Sequence, residues 1–350
     1  MRSFVDLDAV VGRVPASVVV LLSQVDSGRG SEAMYRDQMP GLLCELAHLA
    51  RVASITTSSA IEGVVVPDEG RARRIINGAV TSLRTRNEQE LAGYRDALDY
   101  LFQQEWRPVN TGLLLHLHRL LFAHTAVPGG TFKRQDNLVV DRSPAGEITV
   151  RFRPVPAVET DFHVGELVQR YLHAMRGRCH HPVLLVGLFV LDLLVIHPFE
   201  DGNGRVARVL TNALLADAGY GVVTYVSMEG AIAASEANYY RALLESTHGW
   251  HEGRFDPWPW LTYFVATLAG AYATFAERAA AGPATGNKQQ RVRDFVLRLG
   301  PSTVTVSDIR AALSGVSDQT IRLVLSGLRD EGLIRADGTG RSAKWQRLTS

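Results

Sequence analysis

The sequence predicts a mainly α-helical protein with one short strand region in its middle and a separate small domain at its C-terminus. Residues 1 to about 105 have mostly helical patterns after an irregular start, and amphipathic spacing begins just past Gly41. Strand character is concentrated in residues 137–140 and 148–152, around the turn 143–146. A stretch rich in Ala, Gly and Pro, 280–287, is the clearest linker.

The composition is that of a globular protein that works inside the cell. With 350 residues, 46% of them hydrophobic, the chain can build two or three cores. Its net charge of +1 predicts no overall attraction to nucleic acid or to a membrane. Two cysteines are too few for a disulfide framework or a zinc site. Acidic Asp6 lies too early for a secretory signal, so we expect a cytoplasmic protein.

One segment, His197–Arg208, carries most of the recognisable chemistry, and its sequence is His-Pro-Phe-Glu-Asp-Gly-Asn-Gly-Arg-Val-Ala-Arg. The apolar residues 182–196 before it predict a buried helix that is too short to span a bilayer. Pro198 breaks that helix. If a second helix begins near Asn203, its free N–H groups form an anion site, and the flanking glycines allow a ligand to approach the backbone closely.

The side chains of this segment suit a nucleotide. Arg205 and Arg208 are three residues apart, so both lie on roughly one helix face, and guanidinium groups bind phosphate oxygens well. Asp201 offers hard oxygen ligands to the Mg²⁺ that accompanies a nucleotide. His197, with an unperturbed pKa of about 6.5, can accept a proton near neutral pH. The segment therefore predicts a phosphate site with a general base beside it. We interpret His116, His118 and His124 as core or surface side chains of an apolar helix.

The complete string resembles the motif of the Fic family, His-Pro-Phe-x-Asp/Glu-Gly-Asn-Gly-Arg-x-x-Arg, at every specified position. The resemblance runs from about residue 51 to about residue 270 and implies a Fic-type helical bundle with a β-hairpin called the flap. The segments that carry it are Leu117–Phe122 (first core helix), 130–134 with 137–140 (flap), Glu90, Tyr94, Ala97 and Leu98 (a helix before the core), Tyr239, Tyr240 and Leu243 (border of the adenine pocket), and Trp258–Leu261 with Phe264 (closing helix).

The resemblance implies a role for each motif residue. His197 is the base that deprotonates a target hydroxyl, and Asp201 binds Mg²⁺ or Mn²⁺ between the α- and β-phosphates of ATP. Phosphate oxygens are held by the remaining motif residues: Gly202, Asn203 and Gly204 around the loop, Arg205 on the β/γ side, and Arg208 at the γ-phosphate. Tyr239 and Tyr240 border the adenine. The flap would align the target as an added strand, through Lys133, Asn137, Leu138 and Val139.

A second motif, Ser58-x-x-x-Glu62-Gly63, resembles the inhibitory motif of the family in its N-terminal form. Ser58 and Glu62 are four residues apart and share a helix face. The resemblance implies that Glu62 pairs with Arg208, the arginine that should hold the γ-phosphate of ATP. In some relatives the glutamate instead positions a water that removes AMP, so Glu62 is a brake or a catalyst.

These resemblances imply an autoinhibited protein adenylyltransferase that transfers AMP from ATP to a Tyr, Thr or Ser hydroxyl of a protein target or of itself. One relative of this fold is a kinase, but its motif departs at the glycines and the first arginine. Gly204 and Arg205 therefore favour adenylylation. A homodimer is the expectation from the family.

The C-terminal residues resemble a winged helix-turn-helix, because three helices precede a hairpin. Ser307 and Ser317 are the expected N-caps of its second and third helices. Residues 288–350 carry eleven Lys and Arg against six Asp and Glu, a net +5, whereas the remainder carries 26 against 30, a net −4. Arg322 and Arg329 would face a DNA groove. The alternative for these residues is a protein-interaction or dimerisation module with a solvated basic face. For the whole chain, the alternative to the enzyme is a DNA-binding transcriptional regulator whose Fic domain senses nucleotide. The predicted divisions are 1–105, 106–275, a linker 276–289, and 290–350.

Overall fold

The computed structural model describes residues 2–80, 82–142, 148–280, 288–298, 303–313, 315–338 and 343–348, and it is mainly helical. Its first part contains α1 (Leu7–Val11), α2 (Ala16–Gln38), α3 (Pro40–Ile61), α4 (Glu69–Ile76), α5 (Arg86–Gln103) and α6 (Thr111–Leu121). A hairpin of β1 (Val139–Arg142) and β2 (Ile148–Phe152) follows. The next helices are α7 (Thr160–Gly177), α8 (Pro182–Ile196), α9 (Asn203–Asp217), α10 (Met228–Ala234), α11 (Glu236–Thr247) and α12 (Trp258–Ala280), with 3₁₀ turns at Ala157–Glu159 and Gly221–Thr224. The last elements are α13 (Lys288–Arg298), β3 (Thr303–Val304), α14 (Val306–Ala312), α15 (Asp318–Asp330), β4 (Ile334–Asp337) and β5 (Lys344–Arg347).

Helix α8 lies at the centre of the bundle and has the bounds that its apolar run predicts. Nearly all of its residues are buried, including its only acid, Asp192. Asp192 accepts hydrogen bonds from the Ser3 amide and hydroxyl and from Trp250 Nε1. Burial raises the pKa of Asp192 to about 6. This acid ties the start of the chain to the central helix. None of the helices in the described ranges is long and apolar enough to cross a membrane.

The N-terminal helices share a hydrophobic core with the rest of the bundle. A continuous cluster of buried apolar side chains extends from Phe4 to Ala279. Helix α2 packs along α12, and α3 packs against α10 and α5. The division predicted at residue 105 is therefore not a break in the core, because helices on both sides of it bury their apolar faces against each other.

The hairpin begins later in the chain than its sequence predicts. Strands β1 and β2 are antiparallel, with Val140 opposite Val150. Asn137 and Leu138, predicted as strand, precede β1. Asn137 is instead held by side-chain hydrogen bonds to Lys133 and to the Phe199 carbonyl, which fix it against the loop after α8. The turn predicted at 143–146 lies outside the described residues.

The C-terminal residues form a second core of their own. Buried apolar side chains from Val292 to Ile334 make this cluster, and three strands in the order β3-β5-β4 cover it. The helices and the final hairpin follow the predicted order, with β3 in addition, and the winged helix-turn-helix assignment stays a prediction. Thr305, not Ser307, caps α14, because Thr305 and Asp308 make a reciprocal capping box. Ser317 caps α15 as predicted.

The linker predicted at residues 276–289 has helical residues at both of its ends. Helix α12 continues to Ala280, and α13 begins at Lys288. Residues 281–287 lie outside the described ranges.

The C-terminal core is docked on α3 and α4. Arg73 forms an ion pair with Asp308 at 3.0 Å, and both side chains are mostly buried. Lys344 lies 3.6 Å from Asp68. Leu49 of α3 packs against the C-terminal cluster. The helix that carries Ser58 therefore also contacts the C-terminal residues.

Candidate nucleotide and catalytic site

The loop between α8 and α9 is shaped by its own side chains. His197 ends α8 in the left-handed region, with φ 50°, and its amide donates to the Leu193 carbonyl. Phe199 is fully buried and anchors the loop in the core. Asn203 accepts a hydrogen bond from the Phe199 amide at 2.9 Å and donates to the Phe199 carbonyl at 2.8 Å. Both bonds lie within the loop, so the Asn203 side chain sets its shape. The phosphate contact expected from Asn203 stays a prediction.

The two glycines of the loop are required for different reasons. Gly202 lies in the left-handed region, with φ 80°, and precedes the first turn of α9. The Gly202 amide donates to Asp201 Oδ1 at 2.6 Å. Gly204 lies in the first turn of α9, where a β-carbon would come within 2.4 Å of Glu62 Oε1 and 3.0 Å of Arg208 Nη1. Gly202 thus serves the turn, whereas Gly204 makes room for the neighbouring charges.

His197 is held as a neutral base. Its Nδ1 lies 3.3 Å from the Leu194 carbonyl, which can only accept, so Nδ1 carries the proton and Nε2 keeps its lone pair. Burial lowers the pKa of His197 to about 4, and the nearby Lys133 ammonium contributes in the same direction. At neutral pH the imidazole is therefore uncharged and can accept a proton.

Lys133 and Asn137 lie against this loop rather than in the strands of the hairpin, which corrects their predicted place in the flap. Lys133 is buried and donates to Asn137 Oδ1 at 2.9 Å and to the Ile196 carbonyl at 3.1 Å. Its backbone amide donates to the Pro198 carbonyl. Burial lowers the pKa of Lys133 to about 8. These residues hold the backbone around His197. Val139 does lie in β1, and Leu138 precedes it as an exposed side chain.

Arg205 points away from Arg208 and lies between two carboxylates. Its Nη1 donates to Glu90 Oε2 at 2.5 Å, and its Nη2 lies 3.4 Å from Asp201 Oδ2. The guanidinium is 5.1 Å from the centre of the Phe122 ring. Arg205 is buried, whereas Asp201 is 55% exposed. The two arginines therefore face different acids, although their spacing suggests one face.

Arg208 is the residue that the motif Ser58-x-x-x-Glu62 contacts, as the resemblance implies. Its Nε donates to the Ser58 hydroxyl at 2.8 Å, and its Nη2 donates to Glu62 Oε1 at 2.7 Å and to the Ser58 carbonyl at 3.2 Å. Burial by itself would lower the pKa of Arg208, but the Glu62 carboxylate outweighs it and raises that pKa. Glu62 caps the end of α3, and Gly63 follows in a left-handed turn.

A cleft of about 510 Å³ lies between His197, Arg208 and Glu62. The predicted tyrosines form its wall: Tyr239 is buried, and its ring meets Tyr240 edge to face at 5.2 Å. The Arg151 guanidinium lies 4.5 Å from the centre of the Tyr240 ring. Predicted site residues in the lining are Glu62, Val139, His197, Gly204, Arg208, Tyr239 and Tyr240. Asp201 lies beside the cleft rather than in its lining.

Sequence reasoning missed the function of His118, which holds the loop from α6. Its Nδ1 accepts from the Gly130 amide at 2.8 Å, so its Nε2 carries the proton and faces the Asp201 carbonyl at 3.2 Å. Its ring stacks on Phe199 at 4.0 Å. Burial lowers the pKa of His118 to about 4. The available signal was the position of His118 within Leu117–Phe122, the segment that resembles the first core helix of the family.

A buried acid behind Arg208 was also missed. Glu229 accepts hydrogen bonds from Tyr94, Asn212, Ser54 and Ser227. Ser54 lies one helical turn before Ser58, so this network fixes α3 where it meets Arg208. Glu229 lacks a sequence signal because its partners come from four separate segments.

The described residues contain no group of three or more His, Cys, Asp or Glu side chains that could hold a metal ion. Asp201 nevertheless offers one exposed carboxylate beside the first turn of α9. Such a carboxylate suits Mg²⁺ that is bound together with a nucleotide, because Mg²⁺ takes one or two carboxylates plus phosphates and water. The site thus fits a metal that arrives with its substrate.

The predicted DNA-contacting residues Arg322 and Arg329 lie on α15, and both are exposed. Arg329 donates to Ser326 and forms an ion pair with Asp330. They are far along the sequence from the residues that line the cleft, and they lie on the surface of the C-terminal region.

A helical bundle with a glycine-rich loop, a neutral histidine and a buried arginine defines a candidate phosphate-binding protein. Its residues 108–215 match the family described as the Fic/DOC family. This part of the chain is therefore similar to a Fic domain. The chain is 33% identical to the protein adenylyltransferase Fic of Drosophila sechellia over 108 aligned residues. The aligned stretch covers 31% of this chain and 20% of that relative. The chain thus aligns with about one fifth of the length of this curated relative.

Two solved structures share the fold. A Fic family protein from Desulfovibrio desulfuricans superposes with a TM-score of 0.61 at 19% identity, over 97% of this chain and 98% of that one. A Fic domain containing signaling protein from Bacteroides thetaiotaomicron has a TM-score of 0.59 at 21% identity, over 76% of this chain and 98% of that one. At these identities the likeness establishes the mainly α Fic-type bundle.

Proposed function

We propose that this chain is an autoinhibited protein adenylyltransferase, which transfers AMP from ATP to a Tyr, Thr or Ser hydroxyl of a protein target or of itself. The observation that carries the proposal is the contact of Arg208 with Ser58 and Glu62 in the cleft that also contains His197. The names of the curated relatives support the same reaction class.

His197 is the base of the proposed reaction. Its neutral imidazole accepts the proton of the target hydroxyl at Nε2. The hydroxyl oxygen then forms a bond to the α-phosphorus of ATP, and the bond from that phosphorus to the bridging oxygen breaks. Pyrophosphate leaves with the electron pair, and AMP remains on the target. The chain contributes mainly position and charge, as is usual in phosphoryl-type transfers.

Asp201 would hold Mg²⁺ or Mn²⁺ together with ATP. The metal ion, when bound, neutralises charge on the α- and β-phosphates. The N–H groups in the first turn of α9, with Gly202 and Gly204, would receive phosphate oxygens. Tyr239 and Tyr240 would border the adenine, since they line the same cleft.

Glu62 is the brake in this proposal. It gives Arg208 a carboxylate partner, and its oxygen fills the space in front of Gly204. A γ-phosphate would need the same guanidinium and meet a negative charge there. ATP would therefore bind without its productive phosphate contacts until Glu62 moves.

The test compares label transfer from ATP tagged at the α- or at the γ-phosphate. Wild type, Glu62→Gly, Glu62→Gly/His197→Ala and the exposed control Glu69→Gly are incubated with Mg²⁺ and a cell lysate. We expect α-label transfer to rise at least tenfold in Glu62→Gly, in line with the removal of about 1.4 kcal/mol of inhibition or more. It should vanish without His197 and stay at the wild-type level in Glu69→Gly.

Other outcomes lead elsewhere. Transfer of γ-label would make the protein a kinase. Loss of AMP from a labelled target that requires Glu62 would make Glu62 a catalyst of AMP removal as well as a brake. Absence of transfer from all variants, with ATP still bound, would overturn the transferase.

A DNA-binding regulator is the second candidate, and exposed Arg322 and Arg329 on α15 favour it. Its test is the salt dependence of duplex binding by the full chain and by Arg322→Ala/Arg329→Ala. Loss of the two guanidinium charges that face the groove should weaken duplex binding and make log K depend less steeply on log salt, because fewer counterions are released. An unchanged slope, or absence of binding, would exclude this use of α15.

A further inference from the structure

Glu90 on α5 is a buried carboxylate that binds a motif arginine from behind. Its side chain is 5% exposed, and Oε2 accepts from Arg205 Nη1 at 2.5 Å. Its other oxygen accepts from Arg86 Nε at 2.6 Å. Arg205 itself is 2% exposed, so this pair is removed from solvent. A buried guanidinium needs such a counter-charge, because an uncompensated charge is costly there.

Asp201 is the second acid within reach of Arg205, but it is held less closely. Arg205 Nη2 lies 3.4 Å from Asp201 Oδ2, which is longer than a good charge-assisted bond of about 2.7–2.9 Å. Arg86 Nη2 lies 3.8 Å from the same oxygen. The Asp201 side chain is more than half exposed. Its carboxylate is therefore open to a ligand, although two cations lie near it.

We propose that Glu90 is a positioning residue for the metal–nucleotide site: it holds the Arg205 guanidinium so that Arg205 does not capture Asp201. This rests on the proposed function, in which Asp201 receives Mg²⁺ with ATP. Without the Glu90 charge, the only other carboxylate in contact with Arg205 in the described structure is Asp201. The guanidinium then closes on Asp201, which is a poorer metal ligand when both its oxygens are engaged.

The surroundings of Arg205 permit that movement. The guanidinium carbon lies over the Phe122 ring, 5.1 Å from its centre, and this cation–π contact does not select between the two carboxylates. The buried Nε of Arg205 has no hydrogen-bond partner in the described structure. The short bond to Glu90 is therefore the strongest polar contact of the guanidinium, and a rotation toward Asp201 gives up that bond while it shortens the 3.4 Å contact with Asp201.

Glu88 offers a matched control on the same helix. It is buried to a similar degree, and its carboxylate accepts two hydrogen bonds from Arg71, both at 2.9 Å, and one from the Arg84 amide. Glu88 thus forms the same kind of buried acid–arginine pair, two residues away, with an arginine outside the motif. Loss of either charge should destabilise the fold comparably, but only Glu90 should affect the metal.

The experiment measures ATP binding by calorimetry at a series of Mg²⁺ concentrations, in Glu62→Gly as parent. The quantity compared is the Mg²⁺ concentration at which half of the metal-dependent gain in ATP affinity is reached. Glu90→Gln should raise this concentration about tenfold, which corresponds to about 1.4 kcal/mol. Glu88→Gln should leave it within about twofold, the scatter of additivity between separate sites. Glu90→Asp, which keeps the charge, should recover part of the loss. ATP affinity without metal should change little in each case.

Arg86→Gln tests the same idea from the other side and keeps it testable if Glu90→Gln fails to fold. Arg86 is 65% exposed, so its loss should leave the fold intact. It frees Glu90 to bind Arg205 with both oxygens and removes a cation from Asp201. The Mg²⁺ concentration that gives half of the effect on ATP affinity should therefore fall about two- to threefold, because a weak exposed ion pair contributes a free energy of that size.

Three results overturn parts of this account separately. An equal shift in Glu90→Gln and Glu88→Gln, or a higher metal requirement in Arg86→Gln, overturns the positioning role of Glu90 alone. A parent that binds ATP with metal but transfers no label overturns the proposed function alone. A parent that shows no effect of metal on ATP binding overturns both.

Discussion

Glu62 stands directly in front of Gly204: a β-carbon on residue 204 would lie 2.4 Å from the Glu62 Oε1 atom. The same oxygen accepts the hydrogen bond from Arg208. The glycine in the first turn of α9 and the glutamate of the proposed brake are therefore fitted to each other. This relationship joins residues that are far apart in sequence and explains why Gly204 must lack a side chain even when ATP is absent.

Gly204→Ala should break the contact of Glu62 with Arg208. A methyl group cannot occupy the space of Glu62 Oε1, and the flexible glutamate is what moves. Because Arg208 is buried and Glu62 is partly exposed, we expect the free energy of unfolding to fall by about 1–3 kcal/mol. In Glu62→Gly the same substitution should cost less, since only the end of the flexible Arg208 side chain, at 3.0 Å, still has to shift and alanine suits a helix. Denaturant unfolding of the four proteins checks this, and equal costs in both backgrounds would contradict it.

Ser58→Ala and Ser59→Ala should differ although the two serines are neighbours and both are buried. The Ser58 hydroxyl accepts from Arg208 Nε, whereas the Ser59 hydroxyl has no hydrogen-bond partner in the described structure. Loss of a hydrogen bond to a charged group should lower the free energy of unfolding by about 1.5–3 kcal/mol in Ser58→Ala. Ser59→Ala should be nearly neutral.

Label transfer should distinguish the same two variants. Ser58→Ala frees one side of Arg208 and should raise transfer of α-label, by less than Glu62→Gly does, because the Glu62 carboxylate remains. Ser59→Ala should transfer as wild type does. A rise in Ser59→Ala of the same size would mean that loosening of α3, rather than the contact with Arg208, releases activity.

Stability should fall in acid because of His197. Its pKa is lowered from 6.5 to about 4 in the fold, so the unfolded chain binds a proton that the folded chain does not. The neutral His197 therefore contributes to the free energy of unfolding. This contribution is fully present above pH 6.5 and is lost as the pH falls through about 4, and the whole pKa shift corresponds to about 3 kcal/mol. Between these pH values, unfolding of the wild type takes up about one proton more than unfolding of His197→Asn. The free energy of unfolding should therefore depend less steeply on pH in His197→Asn.

Urea unfolding of wild type and His197→Asn at several pH values measures that slope. Both proteins should give parallel curves above pH 7, where the histidine is neutral in the folded and in the unfolded chain. Equal slopes below pH 6 would show that the fold does not depress the pKa of His197.

The ion pair of Arg73 with Asp308 should link the C-terminal core to α4. Both side chains are mostly buried at 3.0 Å, so a double-mutant cycle of Arg73→Gln and Asp308→Asn should give a coupling energy of about 1–2 kcal/mol. Arg74→Gln is the matched control, because Arg74 is exposed and adjacent. A coupling of Arg74 with Asp308 as large as that of Arg73 would contradict the docking.

The sequence alone predicted the features that depend on local patterns. The apolar run 182–196 is α8, because a helix buried on all sides needs no polar face. The end of α8 just before Pro198 followed from that proline, and α9 begins at Asn203, the start that the anion-site argument assumed. The flap strand was placed too early, since the hydrogen bonds that hold Lys133 and Asn137 to the loop after α8 join distant segments.

The sequence by itself determined the helical class of this protein, the glycine-rich loop with its histidine and, through resemblance, the pairing of Glu62 with Arg208. Only the tertiary structure decided that Arg205 turns to Glu90, that Asn203 binds its own loop, that His118 supports the loop from α6, and that the C-terminal core rests on α3. The reason is physical: local spacing fixes which helix face a residue occupies. The partner that satisfies a buried charge or amide comes from whichever segment the fold brings within 3 Å.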